Sequence, residues 1–236
     1  MKHREVFFNP FRMLSPRLHA EAMRIEELYE KPVSESVSLE EGLLIMISKL
    51  IEMTQLLSKC VVSGADHQMD RCAELASDVH DQEKILTRGL VTSDVEKDLL
   101  TGVIRFPYRL ERIGDMLESV LNCCRIKAEK GIPFSDKAYA ELEQLFAALL
   151  EMMVNMRDAF TTPNKVLLEA ILAEGTNLSE LVEEFKLAHW ARLEAGFCAP
   201  EASSVYRDML DSIKWTTEYL ERMSATLLEL GDTSAS

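Results

Sequence analysis

Apolar residues recur three and four positions apart along most of this 236-residue chain, and the recurrence breaks at a few serine, glycine and proline positions. That spacing buries one stripe of a helix. Six helical blocks are predicted after residue 36. The first runs from about Leu39 to Val62, with Ser38 and Glu41 in a capping-box pattern, and ends at Ser63-Gly64. The second spans about Asp66 to Val91. Ser93 is placed to cap a third, which reaches Lys130 before Gly131-Ile132-Pro133. In that block Leu100, Val103, Pro107, Leu110, Gly114, Leu117, Leu121 and Cys124 form a heptad-like seam, and Pro107 is expected to kink it. Ser135 caps a fourth block running to Phe160. Thr162-Pro163 opens a fifth that continues to Leu193 and stops at Ala195-Gly196, and Pro200 and Glu201 start a sixth reaching Leu230.

Three helices, a break and three more helices suggest an internal repeat. The expected fold is all-α: two three-helix bundles side by side, each helix burying a stripe against the other two, with a short N-terminal helix. The domains read as an arm, short helix and linker over 1–35, a first bundle over 36–132, a second over 133–230 and a polar tail over 231–236. The most hydrophobic stretch, residues 43 to 62, carries Lys49, Glu52, Gln55 and Lys59 at helical spacing. A membrane span needs about 20 mostly apolar residues, so this stretch reads as an amphipathic core helix. Residues 1 to 18 set Lys2, Arg4, Arg12 and Arg17 against a lone Glu5, with Phe7, Phe8 and Phe11 between them. The plainer reading is a tail packed on its own domain. The functional one is docking on an anionic membrane or partner, which four charges and three rings support only modestly. A short helix to about Tyr29 and the linker Lys31 to Ser36 follow.

Composition narrows the function. A net charge of -14 disfavours nucleic acid, whose binding relies on Lys and Arg neutralising phosphate, and it disfavours free phosphate over most of the surface. Cys60, Cys72, Cys123, Cys124 and Cys198 make an odd count with no Cys-x-x-Cys pair. With no signal peptide, they read as reduced thiols in the cytoplasm.

The candidate chemistry is acidic. In Arg109-Leu110-Glu111-Arg112-Ile113-Gly114-Asp115-Met116, Glu111 and Asp115 stand one helical turn apart around a glycine. Like charges at that spacing cost a few tenths of a kcal/mol, and an interior glycine costs about 1 kcal/mol relative to alanine. Glu74 and Asp78 repeat the spacing on the preceding helix. Two such pairs on antiparallel neighbours could bring four carboxylates together as a hard-cation site. If Leu110, Gly114 and Leu117 face the bundle, Glu111, Asp115 and Glu118 lie about 100° round, on its margin or surface. An exposed acidic face is the plainer reading, because 40 acids on helices must fall four apart somewhere. Gly114 would let a neighbouring helix approach closely. His80 could add a nitrogen ligand, although a solvated surface histidine is commoner, and His189 beside Trp190 reads as a packed or capping residue. Glu-x-x-His, His-Glu-x-x-His, P-loop, Gly-x-Gly-x-x-Gly and Gly-x-Ser-x-Gly patterns are absent, and nothing resembles a nucleophile with its base.

The run Leu110 to Asp115, with Glu74-x-x-x-Asp78 one helix earlier, resembles the acidic E/D-x-x-x-D motifs of PhoU-like proteins, bacterial regulators of phosphate uptake. His189-Trp190-Ala191-Arg192-Leu193-Glu194-Ala195-Gly196 and Tyr206-Arg207-Asp208-Met209-Leu210 resemble the family's second repeat and the soluble tails of some sodium/phosphate cotransporters. Roughly residues 36 to 230 are covered. The resemblance implies metal ligands at Glu74, Asp78, Glu111 and Asp115, holding iron, zinc or a lighter divalent ion. An all-oxygen set favours Mg²⁺, Ca²⁺, Mn²⁺ or iron over zinc. The second repeat departs from the pattern, with Lys214 where a glutamate belongs, Glu218 where an aspartate belongs, and Glu-Gly-Thr-Asn-Leu-Ser over Glu174 to Ser179. No metal cluster is expected there. The function implied is that of a non-enzymatic cytoplasmic regulator at the inner face of the membrane. Its partners would be a phosphate transporter or histidine kinase, and a second copy of the chain, with no nucleic acid. A metal-dependent hydrolase using the same carboxylates and a metal-free helical adaptor are the competing readings.

Overall fold

The computed structural model describes residues 38–92, 103–162 and 164–234, and six helices follow one another there. Helix α1 (Leu39–Ser63) starts where Ser38 Oγ accepts the Glu41 N–H at 3.1 Å, and stops at Gly64, whose φ of 60° suits a residue without a side chain. Helix α2 is Asp66–Thr92 and α3 is Phe106–Glu129. The kink expected at Pro107 is not found. Ile104 and Arg105 form a turn, and Pro107 sits in the first turn of α3, where its missing N–H would have had no helical partner. The Ser93 cap and Leu100 lie outside the described residues. So do the arm over 1–18, the short N-terminal helix and the linker.

Helix α4 (Asp136–Thr161) is capped as expected by Ser135, whose Oγ accepts the Ala138 N–H at 3.2 Å. Helix α5 (Lys165–Glu194) is capped by Asn164, whose Oδ1 accepts the Val166 N–H at 3.0 Å, and not by the Thr162-Pro163 pair. Asparagine outranks threonine as a cap because its short carbonyl reaches the free N–H readily. Helix α6 (Pro200–Ser234) passes the end expected at Leu230. Gly231 does not take the positive φ that stops α1 at Gly64, so it continues the helix.

Helices α1, α2 and α3 pack on one another, and so do α4, α5 and α6; α3 against α6 and α1 against α4 join the two bundles. The side-by-side arrangement expected from the repeat is therefore present, with one hydrophobic core continuous through all six helices. Helix α3 buries more than its predicted seam. Besides Leu110, Gly114, Leu117, Leu121 and Cys124 it buries Phe106, Ile113, Val120 and Cys123, because it meets α1, α2 and α6. Each fully buried leucine or isoleucine contributes about 1.5–3 kcal/mol. Arg109 adds a polar clasp between bundles, donating from Nη1 to Arg222 O at 2.9 Å and Thr226 Oγ1 at 3.0 Å. Cys60, Cys72, Cys123, Cys124 and Cys198 are all free thiols, and burial pushes Cys72 and Cys124 up to about 12. Such thiols carry little thiolate and are poor nucleophiles. Among the described residues, no helix is long and apolar enough to cross a membrane.

Candidate functional site

The acidic face lies along the packed pair α2 and α3, where the seam of α3 leaves Glu111 and Asp115 on the margin. Glu111 is 12% exposed at its side chain and Asp115 36%. Arg112 holds both, with Nε 3.0 Å from Glu111 Oε2 and Nη2 2.5 Å from Asp115 Oδ2. The other Glu111 oxygen lies 3.3 Å from His80 Nδ1, so His80 bridges α2 to α3. The Asp115 carboxyl is pushed above its ordinary range by partial burial and then by Glu111, with Arg112 opposing both. On α2, Asp78 Oδ2 takes Lys49 Nζ from α1 at 2.6 Å, and Glu74 takes Arg71 at 3.1 Å, a guanidinium that also holds Glu52 at 2.9 Å.

The structure thus brings Glu111 and Asp115 together through an arginine, while Glu74 and Asp78 are engaged by cations of α2 and α1. Among the described residues no three His, Cys, Asp or Glu side chains converge as metal ligands. The donors are chemically suited to a hard cation, but as they stand they form an ion-pair network. A metal would first have to displace Arg112 and Lys49. The more exposed Lys49–Asp78 pair is worth about 0–1 kcal/mol and is cheap to displace, whereas Glu111, 12% exposed, is held by Arg112 and His80 together. Gly114 is buried, yet a Cβ there would meet Val79 Cγ1 at 3.5 Å and Leu50 Cδ2 at 3.7 Å, which is ordinary contact. The close approach expected at this glycine does not require it.

The chain as a whole resembles a protein of known structure. A crystal structure of PhoU from Pseudomonas aeruginosa matches it with a TM-score of 0.74 at 14% sequence identity, over 83% of this chain and 96% of that one. The fold is that of PhoU. No protein-family model matches the chain, and no curated protein does. The resemblance read from the acidic motifs is borne out at the level of the fold.

Within this PhoU-like fold the second bundle carries a different face at the corresponding place. Lys214 lies 2.7 Å from Glu183 Oε1, Lys186 reaches both Glu183 at 3.1 Å and Asp211 at 2.5 Å, and Glu218 takes Arg222 at 3.0 Å. Lys214 and then Lys186 hold the Glu183 carboxyl below its ordinary value.

The sequence reading missed a buried polar knot in this bundle. Glu141, on α4 and 1% exposed, accepts both terminal nitrogens of Arg192 from α5 at 2.8 and 2.7 Å, and the Tyr206 hydroxyl from α6 at 2.5 Å. Burial, followed by the bond to Glu141, pushes the Tyr206 phenol far above its ordinary range. His189 is 2% exposed and packed, with its ring centroid 4.8 Å from that of Tyr206 and Nε2 3.1 Å from Ser203 Oγ. A signal was present in the helix phase. Glu141 falls on the apolar stripe of Ala138, Leu142 and Leu145, and His189 on that of Leu178, Val182 and Phe185. A lone acid and a lone histidine on converging stripes mark a buried polar contact.

Proposed function

We propose that this chain is a non-enzymatic PhoU-like regulator of phosphate homeostasis, acting by contact with a phosphate transporter or its sensor histidine kinase at the inner face of the membrane. The observation that carries the proposal is the PhoU fold across most of both chains, with Glu74/Asp78 and Glu111/Asp115 on adjacent helices of its first bundle. Their exposed partners Lys49 and Arg71, and at greater cost Arg112, can be exchanged for a partner's cations or for a metal ion. The expectation of a metal at the four carboxylates enters here, in a state where those three side chains have released them. The basic segment Lys2 to Arg17 would aid approach to an anionic membrane, and a second copy of the chain belongs to the assembly.

The test is a crosslinked pull-down of the tagged chain from membranes of phosphate-starved and phosphate-replete cells, beside a variant with Glu74, Asp78, Glu111 and Asp115 all changed to alanine. A transporter or kinase recovered in a phosphate-dependent way, and lost with the variant, is the expected result. An unrelated soluble partner, recovered equally by both proteins, would sink the proposal.

The ion-pairing of all four acids supports a second reading, a metal-free adaptor whose carboxylates meet partner cations directly. Repeating the capture with chelator separates the two. Recovery unchanged by chelator belongs to the adaptor, and recovery lost to chelator and restored by Mn²⁺ belongs to the metal-linked regulator.

A further inference from the structure

The core of the first bundle holds thiols that neither the acidic face nor the proposed docking uses. Cys60 on α1, Cys72 on α2 and Cys124 on α3 are each at most 1% exposed. Two of them meet across the contact between α1 and α2. The Cys60 thiol donates to Gln68 Oε1 at 3.7 Å, and Gln68 stands one helical turn before Cys72 on the same face of α2. From the other side, the Cys72 thiol donates to Met53 O of α1 at 3.9 Å. The two thiols are side-chain neighbours, each acting directly on the ionisation of the other.

The donor set selects the ligand. Met53 and Met69 are buried on the same two helices, which adds thioethers to thiols. Among the described residues no third His, Cys, Asp or Glu, Cys124 included, converges on the pair. Zinc asks for four donors and a hard cation for six or more oxygens, so neither is served here. Cu(I) is soft, prefers sulfur, and is satisfied by two thiolates in line. Burial, then Cys60, keeps the Cys72 thiol protonated, with Arg125 opposing. That shields it from alkylation and oxidation, which need thiolate. A bound metal removes the proton outright.

Binding balances as one Cu(I) plus two thiols giving a copper bis-thiolate of single negative charge and two protons. Two S–H bonds break, two S–Cu bonds form, and copper keeps its oxidation state. The charge that remains is one that Arg125 favours. Entry is by the hairpin. Cys60 lies within one turn of the α1 end at Ser63, and Cys72 within two turns of the α2 start at Asp66. Helix ends open at far lower cost than a whole domain. We propose that Cys60 and Cys72 form a two-coordinate site for the soft monovalent cation Cu(I), which clamps α1 to α2 next to the Glu52–Arg71 pair. The site stands apart from the docking reading and is tested without any partner.

The experiment adds Cu(I) to the reduced full chain without oxygen, in competition with a chromophoric Cu(I) chelator, and reads the ligands by X-ray absorption at the copper edge. Expected are two sulfur neighbours at the copper, release of protons on binding, and a raised melting temperature. Cys60→Ala and Cys72→Ala should each weaken binding about a hundredfold or more, while Cys198→Ala leaves it unchanged. Thiol labelling of the unmodified chain in mild urea, read by mass spectrometry, needs no variant to fold: copper should protect Cys60 and Cys72 and leave Cys198 open. Copper held by nitrogen or oxygen, or Zn²⁺ bound as tightly as Cu(I), would overturn the proposal. So would binding that survives both core substitutions, or labelling of Cys60 and Cys72 at the same rate with and without copper.

Discussion

The two bundles share a helix plan and handle polar groups in opposite ways. In the first, the buried polar side chain among the described residues is Thr54, whose hydroxyl donates to Leu50 O at 2.8 Å within its own helix. Its paired acids stand on the rim, held by Lys49, Arg71, Arg112 and His80. The second bundle buries Glu141, His189, Ser212, Thr216, Thr217 and Ser224. Thr216 and Thr217 donate to carbonyls four residues back on α6 and concern that helix alone. Glu141 does not: its partners come from α5 and α6, so its charge is compensated only when all three helices are in register. An acid on the rim can change partners at little cost, whereas an acid in the core fixes the packing around it. On that ground the first bundle is suited to exchange contacts and the second to stay fixed.

Removing one partner from the buried knot should have the largest effect. Arg192→Ala strands the Glu141 charge, and a loss of about 3–5 kcal/mol is expected by urea denaturation. The double variant Glu141→Leu/Arg192→Met removes both charges and should recover most of that loss. If the double variant is as unstable as the single, the knot matters for shape and not for charge, and the contrast between the bundles weakens.

A smaller loss, about 1.5–3 kcal/mol, is expected for Tyr206→Phe, which deletes the hydrogen bond to an ionised carboxylate and keeps the ring packed on Phe134 and His189. His189 gives the second bundle a pH dependence as well. Its folded pKa lies below the ordinary value, because burial and then Arg192 oppose the charged form. The unfolded chain therefore binds the extra proton first, near pH 6.5. Stability from this residue is full above that pH and falls as the pH drops through the folded value. His189→Gln should flatten the slope of unfolding free energy over that window. An unchanged slope would show that His189 is not its source.

These positions also divide what could be read in the sequence from what could not. Ser38, Gly64 and Ser135 announced helix ends because a cap acts over three or four residues and depends on nothing distant. The start of α3 was misplaced because Pro107 suits both a kink and a first turn, and the residues before it decide which. The four rim acids were found by spacing, and helix phase put Glu111 and Asp115 on the margin. The pairing of Asp78 with Lys49, 29 residues earlier, required the packing of α1 on α2. Glu141 is separated from Arg192 by 51 residues and from Tyr206 by 65, so local periodicity could mark it as anomalous without naming its partners.

Gly114→Ala tests whether the glycine amid the acidic motif answers to packing. The space for a Cβ is present, and alanine removes a helix-interior glycine, so a gain of about 0.5–1 kcal/mol is expected. Gly175 in the second bundle is the contrasting case. A Cβ there would lie 2.5 Å from Glu221 Cδ and Cγ, so Glu221 must swing away and Gly175→Ala should gain less than Gly114→Ala. Equal gains at both would mean that the Glu221 side chain yields freely.

The smallest effect should come from the rim. Lys49 and Asp78 are 2.6 Å apart, closer than Arg192 and Glu141, so distance alone would rank their pair first. Exposure reverses the order. The Asp78 side chain is 46% exposed and that of Glu141 1%, and water screens the first pair while being excluded from the second. Lys49→Ala should therefore cost less than about 1 kcal/mol, and the difference should shrink towards zero in about 1 M salt, where the screening length falls to about 3 Å. The Arg192→Ala loss should persist in the same salt. A Lys49→Ala loss above about 2 kcal/mol that survives salt would place Asp78 with Glu141 among the fixed acids, and would make the first bundle a poor place to exchange partners.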